Sequence, residues 1–81
     1  MYRTESIDQF ITDCKELGAT DFLEEVTDSP ESFWRNRVYA IGSNETSLMG
    51  MWNIEKGYGD VFPVPIKRFS KSRRKFRKFK V

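Results

Sequence analysis

Nine cations crowd the last fifteen residues: Lys67, Arg68, Lys71, Arg73, Arg74, Lys75, Arg77, Lys78 and Lys80. No acid lies among them, and Phe69, Phe76 and Phe79 interrupt the run. Lysine and arginine displace condensed counterions from phosphates, and aromatic rings stack on unpaired bases. This mixture suits electrostatic binding of nucleic acid, RNA or DNA, with the nine cations, Phe76 and Phe79 as contact residues. Spacing adds an expectation about shape. On a helix, at roughly 100° per residue, the three phenylalanines project to one side; on a strand Phe76 would face away from Phe69 and Phe79. The tail is therefore expected as a basic amphipathic helix, a shape also used on anionic membranes and in acidic protein grooves. A plainer alternative is internal: the rings dock on the domain, and the charges solvate it or pair with its own acids.

Catalytic constellations are scarce. The chain has no His and one Cys, Cys14, so histidine-dependent nucleophile pairs and the usual zinc sites are ruled out. Cys14 lies on an apolar stripe, as a buried packing thiol would in a reducing compartment. Gly57 and Gly59 flank Tyr58 in turn chemistry rather than in a phosphate-binding loop. Adjacent carboxylates such as Glu24 and Glu25 point apart on a helix and read as a solvated acidic face. The expectation is a protein without catalytic activity, metal, cofactor or small-molecule substrate.

Charge is divided along the chain. Residues 1–33 carry nine acids against Arg3 and Lys15, residues 34–66 are balanced, and the excess of cations lies in the tail. The formal total of +2 conceals this dipole. Such asymmetry concerns partners and solubility rather than fold, and the two ends are also suited to neutralise each other. At 81 residues a single domain is expected, with a core near the lower limit for independent stability. No apolar run reaches the ~18 residues of a membrane span, and no signal-peptide pattern opens the chain, so a cytoplasmic address is expected and a membrane partner is not.

The elements that would position these groups follow from periodicity. Ser6 and Gln9 have capping-box spacing, and Ile7, Phe10, Ile11, Cys14 and Leu17 form one helix face up to Gly18, which predicts a helix over 6–17. Thr20 or Asp21 is suited to cap a short second helix with Phe22, Leu23 and Val26. Residues 31–36 fit either a helical turn or extended chain. Beyond Arg37 the pattern turns to strands: 38–41, then 48–54 with Leu48, Gly50, Trp52 and Ile54 on one face, then 61–66 with Phe62, Val64 and Ile66 inward. Pro63 and Pro65 predict that the third strand is an edge or an extended connection. Trp34, Tyr39, Trp52 and Phe62 are assigned to the core, with a stacking surface of Trp34, Arg35, Arg37 and Tyr58, continuous with the tail, as the alternative.

The expected architecture is α+β: one long N-terminal amphipathic helix and a short second helix on a small antiparallel meander of about three strands. Residues 1–66 would form this domain, with 67–81 as a basic aromatic tail. The expected function is that of a non-enzymatic accessory protein that binds nucleic acid through the tail. The alternative is a small interaction or inhibitor protein, of a size that suits a phage product, which regulates a larger protein partner through its acidic helices. A sequence-specific winged helix would require 31–36 to be helical and to read bases through Arg35 and Asn36.

Overall fold

The computed structural model describes residues 1–26, 37–44, 46–67, 69–70 and 75–81. Among these residues six strands form one sheet, with a single helix, α1 (Ile7–Glu16), packed on one face. The strands are β1 (Tyr2–Thr4), β2 (Ala19–Val26), β3 (Arg37–Gly42), β4 (Leu48–Asn53), β5 (Tyr58–Ile66) and β6 (Lys75–Lys78). Their order is β1-β5-β4-β3-β2-β6, and every neighbouring pair is antiparallel. The expected two helices on a three-stranded meander are thus corrected. The meander runs through four consecutive strands, β2 to β5, and each chain terminus adds a further strand at one edge.

The helix forms where the apolar spacing places it. Ser6 is its N-cap, and its hydroxyl accepts from the Gln9 N–H at 3.2 Å. The reciprocal half of a capping box is replaced: Gln9 donates to Asp13 at 2.6 Å, and the Ser6 N–H goes to the Thr4 hydroxyl. Phe10 and Cys14 are buried, and Ile7, Ile11 and Leu17 flank them. The sheet accepts Phe10 because two glycines lie beneath it. A Cβ on Gly50 would stand 2.8 Å from Cys14 Sγ and 2.9 Å from Phe10 Cε1, and one on Gly59 would stand 3.1 Å from Phe10 Cδ1. Trp52 completes the seat, its ring 5.6 Å from that of Phe10, whereas Ile54 is exposed.

Residues 19–26 are a strand rather than the expected short helix. Both faces of the sheet are apolar, so Phe22 enters the helix-side core while its neighbour Leu23 enters the core on the opposite face. Consecutive buried residues erase the alternation that marks a half-buried strand, and the flanking Asp21, Glu24 and Glu25 imitate a helix start. The same two-sided burial places Val38 and Ala40 on the helix side and Tyr39 and Ile41 on the other. On β4 a register shift between Leu48 and Gly50 moves Leu48 to the second face, so the expected single face of Leu48, Gly50, Trp52 and Ile54 is broken.

The prolines of β5, expected on an edge strand or an extended connection, lie beyond the part of β5 that pairs with β1. β5 lies between β1 and β4, but its pairing with β1 ends at Val61. Towards β4, the stretch from Val61 to Ile66 spans what Leu48 to Gly50 spans on the partner, so Pro63 and Pro65 fall in a bulge. No ladder bond is demanded of them there. Val61 and Phe62 are buried on opposite faces, and Val64 and Ile66 are exposed rather than inward.

Candidate nucleic-acid interface

The tail is built into the sheet. Residues 75–78 are β6, a strand rather than the expected amphipathic helix, and pair with β2 at the sheet edge. Strand parity, the argument against this arrangement, is satisfied because both faces have a core. Phe76 joins Tyr39 and Phe69 on the second face, with ring centroids 5.5 to 5.7 Å apart. Phe79 packs against the helix-side cluster and donates its N–H to the Phe22 carbonyl at 2.8 Å. Phe69 itself is buried, its N–H bonded to the Thr46 carbonyl at 3.0 Å. The chain therefore leaves β5, lays Phe69 over the second face and returns along β2.

This placement sorts the candidate residues. Phe76 and Phe79 are both partly buried, Phe76 against the core of the second face and Phe79 against the helix-side core. Lys67, Lys75, Lys78 and Lys80 are exposed and hold no ion pair among the described residues. Arg77 is also exposed, but its guanidinium donates to Glu24 at 2.8 Å, across the Glu24 to Arg77 register of the β2–β6 pair. That hydrogen bond, reinforced by the carboxylate's charge, pushes the Arg77 pKa further up and keeps it cationic. Arg68, Lys71, Arg73 and Arg74 lie outside the described residues, as do Trp34, Arg35 and the 31–36 segment.

Of the alternative stacking surface, Tyr58 lies away from β6, and Trp34 and Arg35 are outside the described residues. Tyr58 is on β5, near the opposite edge, with the Arg3 guanidinium 4.1 Å above its ring. Arg3 also pairs with Asp60 at 3.3 Å. Three carboxylates of the acidic front are committed internally. Asp13 accepts from Tyr2 at 2.7 Å and from Gln9, Glu24 holds Arg77, and Glu25 accepts from the Tyr39 hydroxyl at 3.1 Å. The Asp13 bond pushes the Tyr2 phenol up to about 12.

One cation near this edge escaped the sequence reading. Lys15, from the last turn of α1, borders a cavity of about 300 Å³ together with Phe22, Lys78 and Phe79. Asp13 and Glu16 lie close to it in sequence, and only the β2–β6 pairing brings it near the tail. Among the described residues no three metal-ligating side chains converge, and no helix is long and apolar enough to cross a membrane. In comparisons with known proteins, the chain matches no family, no curated sequence and no solved structure.

Proposed function

We propose that this protein binds nucleic acid through phosphate contacts along the β6 edge, without catalysing a reaction. One observation carries the reading: Lys75 and Lys78 on β6, and Lys80 just beyond it, stand exposed and hold no ion pair among the described residues, on a segment held in place by Phe76 and Phe79. Lysines carried on the ordered backbone of a folded edge lose less backbone freedom on binding than those of a disordered arm do. With Phe76 and Phe79 packed against the two cores, the contacts of this reading are to the phosphate backbone, and they position without specifying sequence.

Fluorescence anisotropy on duplex and single-stranded oligonucleotides tests this. Combined Lys75→Gln, Lys78→Gln and Lys80→Gln substitution should weaken binding by about the same factor for every sequence. Glu24→Gln should strengthen it, because Arg77 then reaches phosphate without an internal competitor. Deletion of residues 67–81 is an unsuitable control, since it removes β6 and Phe69 from the fold. A loss confined to one base composition would point to base readout instead.

The second reading, a protein that regulates a larger partner, draws on a different feature. Met1, Phe62, Pro63, Val64 and Ile66 line an apolar depression of about 260 Å³, where Met1 and Val64 are each 84% exposed. The internal commitment of Asp13, Glu24 and Glu25 weakens the version in which acidic helices mimic nucleic acid.

A further inference from the structure

We propose that the outer edge of β6 accepts an extended acidic segment of a partner protein as a seventh strand. β6 ends the sheet order, with no strand beyond it among the described residues. In an antiparallel pair the main-chain groups of successive residues point alternately toward and away from the partner. Phe79 donates to Phe22, which places Lys75, Arg77 and Phe79 inward and directs the main chain of Lys78 outward. An added strand would find a donor and an acceptor at Lys78, with Lys75 and Arg77 on one face and Lys78 on the other.

Charge selects the occupant. A second copy of this edge would set Lys and Arg against Lys and Arg, and basic edge strands of this kind prevent pairing between copies. The same charges attract carboxylates. The molecule already contains the complementary pairing on the inner side of β6, where β2, with Asp21, Glu24 and Glu25, lies antiparallel to it and Glu24 meets Arg77 at 2.8 Å. An extended peptide that alternates acidic and β-branched residues would repeat that arrangement on the outer side, with main-chain bonds supplying affinity and carboxylates supplying selection. This surface does not depend on the nucleic-acid reading, but it uses the same lysines, so an acidic strand and a phosphate backbone would compete.

The test uses the full chain, isotopically labelled, and three synthetic eight-residue peptides. One alternates Glu and Val, the second carries the same side chains with every amide N-methylated, and the third alternates Glu and Pro, whose rings favour a polyproline conformation over a strand. The first should shift the Lys78 amide resonance and protect it from hydrogen exchange. The other two, equal in charge but unable to complete a ladder, should bind about tenfold more weakly or less. Lys78→Pro should abolish the first peptide's advantage, while Lys78→Gln should preserve most of it. Equal binding of all three peptides, or protection that bypasses Lys78, would overturn the proposal. Nucleic-acid binding is measured separately on the same sample, so either reading can fail without the other.

Discussion

Gly50 and Cys14 show at single-residue scale how tightly α1 is seated. The space above Gly50 is filled by Phe10 and Cys14, and a Cβ there would also stand 2.8 Å from the Asp60 carbonyl oxygen. Backbone cannot yield as a flexible side chain can. Gly50→Ala should therefore cost about 1 to 3 kcal/mol, read as a lower denaturation midpoint with an unchanged m-value. Cys14 is fully buried, and burial pushes its thiol from 9.0 up to about 12. The folded state then keeps a proton that the unfolded chain releases. This contribution to stability is complete below pH 9.0 and is lost as pH rises toward about 12. Wild type should lose stability over that window more steeply than Cys14→Ala, and native Cys14 should resist thiol reagents at neutral pH. An equal slope in both proteins would remove the thiol from the alkaline transition. The apolar spacing around Cys14 made this burial legible, but no local pattern foretold that Gly50 and Gly59 would form the seat.

Among the elements, α1 was readable because its signals are local: a Ser cap, an apolar stripe and a Gly stop. β2 and β6 were not, for one shared physical reason. Periodicity reports one buried face, and this sheet buries both, so Phe22 and Leu23 are adjacent core residues and Phe76 and Phe79 serve opposite cores. The pairing of β2 with β6 also joins distant parts of the chain, which only the complementary charges hinted at. Its consequence is that the basic segment is structural as well as chemical. Phe69→Ala should cost about 3 to 5 kcal/mol, because Phe69 covers Tyr39 and lies against Phe76 on the second face. Truncation after Ile66 should then abolish cooperative thermal unfolding, by exposing Tyr39 and Ile41 together with the β2 edge. A truncated chain that melts as the intact one does would make β6 an appendage.

For the molecule as a whole, the uneven charge distribution resolves into a sheet whose acidic β2 and basic β6 lie side by side. Part of the charge is neutralised there, as Arg77 and Glu24 show, and the exposed lysines remain outside. The candidate residues were legible as a composition, whereas their arrangement on a fixed edge was not. The most direct test of the central claim is the salt dependence of duplex binding by the intact protein. Each phosphate contact contributes about −0.9 to the log-log slope, so engagement of this edge predicts roughly −3 to −5, made shallower by about 2 to 3 when Lys75, Lys78 and Lys80 become Gln. No binding at low salt, or a slope that the triple substitution leaves unchanged, would contradict the claim that this edge binds phosphate.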